Sequence, residues 1–584
     1  MDASIHNVLI IDLSKHAYRI EKREAYFNEF LGGTGAGIQL LKEFLDPKID
    51  PLSPENVIVF AVGALTGKFP MISKTVALFK SPHNGYLGES HAGGRSAISI
   101  WQAGYGAIVI KGASDIPVYV FVDGKNVYFR DARALWDVSD MAVAGRIMRE
   151  RDGKSGLRTI MRIGKAGERL ITYSSLTTET YRHFGRLGLG AVFGSKKLKG
   201  IVVTGTRTVP VENSKEYKAL YDEVYNVCVS SLMKKYHELG TAENILPLNA
   251  ISGLPTRNFQ ETNFEKAEIL SGENLAEGYL GRRVACSHCP VGCIHLAVLR
   301  EKNPDDPYFY KTSFVCYDYE PLYSIGTLLG IQTVEEFLRI MIAVEKYGVD
   351  VMTTGVVLAW ITEAYAKDLI GKDETGGLSP AFGDSAVYIK LIEKMIEPGN
   401  EFFQLMGKGL DALTKRYGGS EFAVRYFGNE LSGYHTGPAL HLTHLTGARH
   451  SHLDSAGYSI DQKMFREGTK FSPEELAKKL FNEEAERQVL TSLVICLFAR
   501  NVYTPERVSA CLKIFGLDMS EERLHEIGKK ILIEKNALKK EMGFDMENFT
   551  IPERVLNVPT PLGPIDPLYM KEAVKHFKNL LNLP

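Results

Sequence analysis

Short apolar, β-branched runs bounded by turn residues recur through the first two hundred positions. Residues 8–13, 57–62, 75–80 and 107–111 are of this kind, and each predicts a strand. Several lack alternation, which predicts strands covered on both faces. Residues 118–122 and 126–129 flank Asp123-Gly124, a hairpin signal because glycine accepts the positive φ of a tight turn. The pattern changes near Pro210. Residues 214–239 predict a helix. Thr333-Val-Glu-Glu336 has the form of a capping box, and Phe337, Ile340, Met341 and Val344 then follow at i, i+3, i+4 and i+7. That spacing is one apolar helical stripe, which Gly348 would end. Residues 472–487, 520–542 and 567–581 also predict helices, and residues 303–307 a Pro/Asp-rich loop.

These patterns predict an α+β fold. A β-rich base domain spans residues 1–210, and two mostly α-helical domains follow at 211–420 and 421–584. The second boundary rests on the Gly418-Gly419 turn. A chain of 584 residues is too long for one core. Its 45% hydrophobic and 24% charged residues are ordinary for a globular protein. A net charge of −1 gives no sign of nucleic acid or an anionic membrane as partner. No apolar run is long enough to span a bilayer, and the first thirteen residues read as a strand rather than a secretory leader. The expected compartment is the cytoplasm.

Three of the seven cysteines crowd together as Cys286-x-x-Cys289-x-x-x-Cys293. In a large cytosolic protein such a cluster points to metal rather than disulfides. Cubane iron–sulfur clusters take four thiolates. This loop offers three, with Pro290 and Gly292 letting the chain wrap tightly. The alternatives are zinc, with His288 or His295 as fourth ligand, or reduced structural thiols; zinc sites usually arrive as two spaced pairs. Spacing leaves the fourth thiolate open among Cys228, Cys316, Cys496 and Cys511.

Ala285-Cys-Ser-His-Cys-Pro-Val-Gly-Cys293 resembles the cluster motif of the aldehyde ferredoxin oxidoreductase family. Leu31-Gly-Gly-Thr-Gly-Ala-Gly-Ile38, Asp50-Pro-Leu-Ser-Pro-Glu-Asn56, Gly63-Ala-Leu-Thr-Gly67 and the glycine-rich stretch from Gly185 to Lys196 resemble segments of the same family, in the same order. So do Glu320 through Gly330, Glu345-Lys-Tyr-Gly-Val-Asp350 and Cys496-Leu-Phe498. The resemblance covers nearly the whole chain. It implies a tungsten (or molybdenum) atom held by two pyranopterins, a magnesium ion bridging the pterin phosphates, and one [4Fe–4S] cluster on Cys286, Cys289, Cys293 and Cys496. A large anionic cofactor needs backbone donors and close approach, and the 54 glycines suit that need.

The resemblance also assigns positions. Lys74 and Arg182 match the cations on the pterin phosphates, although lysine replaces the commoner arginine and makes a point-charge contact instead of a bidentate one. His91 and His183 match the residues whose carbonyls face magnesium, and Gly93 belongs to the same cofactor-binding segment. Asp350 matches an aspartate on a pterin ring, and Glu345 stands where a shorter aspartate is usual. The second pterin motif departs from the family. Thr491-Ser-Leu-Val-Ile-Cys496 keeps the cysteine but loses the aspartate and glycine, so Thr491 and Ile495 are the positions left to contact that pterin.

Glu320 matches the active-site glutamate of the family. Its neighbours Tyr317, Tyr319, Leu322 and Tyr323 would bury it, raise its pKa and suit a general base. Five of fifteen histidines fall between His435 and His452; spacing alone would also allow a metal site, and the preferred reading is substrate and cofactor contacts. The short glycine-bearing turn before it favours His450 as the donor to the substrate oxygen, with His452 the nearest rival. The implied reaction oxidises an aldehyde to the acid with water as oxygen source, sending electrons to ferredoxin or a dedicated small iron–sulfur subunit. Two alternatives stand beside it: a tungsten subunit of an aromatic-ring or acyl-CoA-type reductase, and a pterin-free electron-transfer or zinc scaffold protein. Some family homodimers share an iron between subunits. Arg339 occupies the position of the iron-binding glutamate, and a guanidinium cannot ligate iron; no inter-subunit iron is expected.

Overall fold

The computed structural model describes residues 3–582 except 139, 153–156, 180, 210, 304–305 and 450. The β-rich part holds two six-stranded sheets. The first contains β1 (Asn7–Asp12), β2 (Ala17–Lys22), β3 (Ile58–Ala61), β4 (Thr75–Lys80), β5 (Leu87–Ala92) and β6 (Ala107–Lys111), in the order β2-β1-β6-β3-β4-β5. The second contains β7 (Val118–Asp123), β8 (Asn126–Asp131), β9 (Arg158–Arg162), β10 (Leu176–Thr177), β11 (His183–Phe184) and β12 (Leu198–Thr204), in the order β11-β10-β9-β12-β7-β8. Only β1 with β6 and β7 with β12 pair parallel among the described residues.

The missing alternation in these strands has a physical cause. In β1, Leu9 and Ile11 pack with Val120 and Val203 of the second sheet. Val8 and Ile10, on the other face, pack with Ile38 of the helix Gly33–Phe44 and Ile531 of Glu521–Glu541. A strand buried on both sides reads as a continuous apolar run. The hairpin at Asp123-Gly124 forms, with Asp123 opposite Asn126 and Gly124 at φ 57°.

After Thr204 the chain is largely helical. Val334–Tyr347 buries Phe337, Ile340, Met341 and Val344, and Gly348 ends it at φ 76°. Its N-terminus is half a capping box. Thr333 Oγ1 accepts from Glu336 N, but the Glu336 carboxylate returns to the Thr333 hydroxyl. The full box appears at Ser472, which opens Pro473–Ser492. The expected helix over 214–239 breaks instead: Ser214–Cys228 ends, Ser230 caps a new 3-10 turn through Leu232 N, and a short helix Lys234–Glu238 follows.

This mostly helical region also holds a sheet. β13 (Leu280–Val284), β14 (Ile294–Asn303) and β15 (Asp306–Tyr317) form a three-stranded antiparallel sheet. Asn303 and Asp306 are the facing ends of a long hairpin, so most of the expected Pro/Asp-rich loop belongs to its strands, and residues 304–305 lie outside the described residues. Residues 285–293 are the connection between β13 and β14. Among the described residues, no helix is long and apolar enough to cross a membrane.

Candidate functional site

The β13–β14 connection faces the base domain. Met71 clips it in place: Met71 N–H donates to His288 O at 2.8 Å, and Cys496 N–H donates to Met71 O at 3.0 Å. One residue of the base domain thus ties the cysteine loop to the segment carrying Cys496. Ser287 N–H donates to Gly94 O at 2.8 Å. A side chain at Gly93 would place its Cβ 2.6 Å from Cys286 Sγ, so the close approach of loop and sheet requires glycine there.

Cys286, Cys289, Cys293 and Cys496 line one cavity of about 310 Å³, and Cys316 joins them. Cys228 and Cys511 do not line it; they sit in the apolar core, where burial pushes their thiols up to about 11 and about 12. Burial also pushes up Cys289 and Cys316. Among the described residues, the one trio of Cys, His, Asp or Glu side chains whose ligand atoms fall within 4.8 Å of one another is Glu89, His91 and Asp454. Thiolates on one zinc ion at about 2.3 Å would sit under about 4 Å apart. The open spacing of these cysteines therefore suits a polynuclear cluster better than a single ion.

The wall next to the cysteines comes from β11 and the residues on either side of it. Arg182 Nη2 lies 3.6 Å from Cys293 Sγ, and Nη1 lies 3.6 Å from Asp318 Oδ2. Burial would lower its pKa, but Cys293, Cys316 and Cys286 outweigh that and raise it. Burial beside Arg182 and Arg162 pushes His183 down to about 4, so its ring is neutral. Arg186 donates from Nη2 to Glu430 O at 2.8 Å, and its Nε is 3.4 Å from Asp350 Oδ2. Asp350 is the N-cap of Val351–Ala366, accepting from Thr353 N at 3.0 Å, and still lines the cavity. Glu345 lines a smaller adjoining cavity of about 80 Å³ with His183 and Asp350, and burial pushes its carboxyl up to about 8.

Another part of the lining is Lys74, His91 and Arg449. Behind it runs a buried charge network. His91 Nε2 is 2.8 Å from Glu89 Oε1, Lys535 Nζ is 2.5 Å from Glu89 Oε2, and Arg449 Nη1 donates to Asp454 Oδ2 at 2.9 Å. Burial would raise Glu89, but Lys535 and His91 hold it well below the usual carboxylate range. The two carboxylates grouped around His91 are thus already balanced by two cations, Lys535 and Arg449.

Thr491 and Ile495 are buried behind this wall and do not line the cavity. The Thr491 hydroxyl donates to Gln488 O at 3.1 Å, within its own helix, and Ile495 bridges to Ile72.

Glu320 stands where the walls meet. Its Oε1 is 2.8 Å from His452 Nε2, and Oε2 accepts from Gly433 N at 3.4 Å. Its side chain is 20% exposed, so it lines the cavity rather than sitting in the core. His450 lies outside the described residues, and His452 is the histidine found at Glu320. The expectation of substrate and cofactor contacts fails for three of the five histidines. His435 bonds Val558 O and His441, His441 bonds Tyr426, and His444 bonds Ser432, all fully buried. They are neutral core histidines whose ring nitrogens are satisfied within the fold.

Several buried polar atoms around the cavity have no partner within the chain: Arg182 Nε, Arg186 Nη1, Glu345 Oε1, Arg449 Nε and Asp454 Oδ1. Each such atom costs about 1–3 kcal/mol if left unpaired. Donors and acceptors of both kinds around thiols and a glycine-lined approach fit a polyanionic ring cofactor beside an iron–sulfur cluster. Sequence reasoning gave no role to Arg186, Arg449 or Asp318 and offered Cys316 only as a possible fourth thiolate; Arg186 lies within the recognised Gly185–Lys196 stretch, and Asp318 faces Arg182.

A family model described as "Aldehyde ferredoxin oxidoreductase, N-terminal domain" matches residues 8–205, and "Aldehyde ferredoxin oxidoreductase, domains 2 & 3" matches residues 219–582. A tungsten-containing aldehyde ferredoxin oxidoreductase of Pyrococcus abyssi is 31% identical over 562 residues, covering 93% of this chain and 89% of that protein. The WOR-like subunit of an aliphatic sulfonate oxidoreductase from Pyrococcus furiosus is 27% identical, covering 90% and 84%. Among solved structures, a chain of the active site complex BamBC of benzoyl coenzyme A reductase, in complex with 1,5-dienoyl-CoA, superimposes with a TM-score of 0.84. It is 20% identical and covers 100% of this chain and 95% of that one; at that identity the likeness speaks for the fold.

Proposed function

Since the chain belongs to the aldehyde ferredoxin oxidoreductase family and is an oxidoreductase of its tungsten–pterin type, we propose that it oxidises aldehydes to carboxylic acids and passes the electrons to an iron–sulfur carrier. Cys286, Cys289, Cys293 and Cys496 would hold a [4Fe–4S] cluster. Arg182, Lys74, Asp350 and Glu345 would hold the pterins, and the carbonyls of His91 and His183 would face a magnesium ion. When bound, the tungsten–pterin group supplies the two-electron acceptor and polarises the carbonyl oxygen.

The chain's own part is positioning and proton transfer. The observation that carries the reading is Glu320 Oε1 lying 2.8 Å from His452 Nε2 on the wall of the cysteine-lined cavity. A carboxylate there takes a proton from the attacking water, and the neighbouring imidazole receives it or donates to the substrate oxygen. Gly433 N–H steadies the other carboxylate oxygen. Aldehyde and water give acid, two electrons and two protons; Glu320 and His452 handle the protons.

The test is dye-linked turnover of anaerobically purified holoenzyme with a panel of aldehydes in ¹⁸O-labelled water. The expected result is an acid carrying one labelled oxygen. Turnover only with a CoA thioester, or none with any aldehyde, would contradict the proposal.

A further inference from the structure

The hairpin β14–β15 projects from the body with four large exposed aromatic side chains. Tyr308 is 91% exposed, Phe309 66%, Tyr310 52% and Phe314 46%. Such a concentration of exposed apolar surface marks an interaction site. Strand register sorts the side chains. Val298 lies opposite Phe314, Arg300 opposite Thr312, and Lys302 opposite Tyr310. Residues directly opposite share a face, and every second residue repeats it. One face of the paired hairpin therefore carries Phe314, Arg300, Tyr310 and Lys302, and the exposed Tyr308 follows in the irregular stretch beyond Tyr310. Arg300 confirms the sorting by stacking 4.6 Å from the Tyr310 ring centroid.

The same face leads inward to the cluster loop. At its root Ile294, Leu296 and Cys316 pack with Val284, Cys286 and Tyr181. Arg282, opposite Leu296 on β13, adds an exposed cation to this face. The acids of the sheet are engaged elsewhere. Glu301, on the other face, is 2.7 Å from Arg339 Nε of the helix Val334–Tyr347, and Asp306 Oδ1 accepts from Tyr308 N at 3.2 Å. Arg339 thus pairs within its own chain, and its partner ties the hairpin's inner face to the body. What remains outward is a run of three cations and three aromatics that begins at Cys286.

We propose that this outer face is the docking surface for an acidic one-electron iron–sulfur carrier protein. Arg282, Arg300 and Lys302 supply attraction and orientation, and Tyr308, Tyr310 and Phe314 supply apolar contact. The proposal rests on the iron–sulfur reading of the cysteines, because proximity to Cys286 selects a carrier over other acidic partners. It also locates attraction locally in a chain whose net charge is only −1.

The experiment compares anaerobically purified holoenzyme with the R300E/K302E double variant and a Y308S/Y310S double variant. Two acceptors are used with the same aldehyde: an acidic [4Fe–4S] ferredoxin and benzyl viologen. Viologen turnover should be unchanged in all three, which also reports an intact fold. The ferredoxin KM should rise by about tenfold or more in R300E/K302E at low salt, and the difference should shrink as salt is raised. An unchanged ferredoxin KM overturns the proposal. Failure of every aldehyde with viologen would instead sink the proposed function. Docking is then read by calorimetric binding of ferredoxin to the same proteins, where equal affinity for wild type and R300E/K302E overturns it. Variant-sensitive binding to phosphatidylserine vesicles, or variant-sensitive self-association by sedimentation, with ferredoxin unaffected would likewise overturn it in favour of a membrane or a second copy.

Discussion

On the wall that carries Arg182, Arg186 and Glu345, recognised motif residues turn polar atoms toward the cavity and leave them without partners in the chain. Around Thr491 and Ile495 the motif lapses. Thr491 spends its hydroxyl on Gln488, and polarity comes instead from His91 and Arg449, backed by Glu89, Asp454 and Lys535. The first wall takes Arg182 and Arg186 from the residues flanking the short strand β11 and Glu345 from the last turn of the helix Val334–Tyr347. The second depends on charge balance among five buried groups drawn from distant parts of the chain. The cavity lining therefore stays polar without the motif aspartate, through Lys74 and His91, which the family resemblance already assigned, and through Arg449, which it did not.

The largest effect should come where the walls meet. Glu320→Gln keeps shape and removes the base, and kcat should fall about 10²–10⁴-fold while tungsten and iron content stay at wild-type level. Full activity in that variant removes Glu320 from the chemistry. His452→Asn should cost less.

Next is the charge-balanced wall. Lys535 and Glu89 are both almost wholly buried, so Lys535→Met strands a carboxylate and should cost about 3–5 kcal/mol. In the wild type, Glu89 is held below its ordinary 4.5. It therefore adds stability above that pH and loses it as pH falls toward the folded pKa. Without Lys535 the sign reverses, because burial raises Glu89. The variant's deficit should be greatest near pH 8 and shrink as pH falls and the carboxyl protonates. Thermal unfolding across pH reads this; a pH-independent deficit would show that Lys535 serves packing alone.

On the motif wall, Arg182→Ala should lower bound tungsten by about tenfold or more, since it removes a buried cation facing both thiols and cavity. Metal analysis decides it, and wild-type tungsten in that variant would break the contrast between the walls. The smallest effect belongs to Thr491→Val. Its hydroxyl faces its own helix, so tungsten content should stay within about twofold; a large loss would mean the second wall follows the family motif after all.

The same contrast explains what could be read from the residues. Strands 75–80 and 107–111 were legible because β-branched runs between turns carry their own signal. The cysteine loop was legible from spacing. Pairing between Glu89 and Lys535 was not, because a lone charge on a strand and another on a far helix look like solvated residues until the fold brings them together. The β14–β15 hairpin was hidden because its outer half is exposed on both faces and shows no apolar alternation. Histidine density misled in the opposite direction: His435 and His441 bond each other in the core, and His444 bonds Ser432 there.

Metal analysis of anaerobically purified protein tests the central claim most directly. The account predicts tungsten or molybdenum together with about four iron atoms per chain, with iron falling in Cys496→Ser and not in Cys228→Ser. Zinc as the sole bound metal, or iron content indifferent to Cys496, would contradict it.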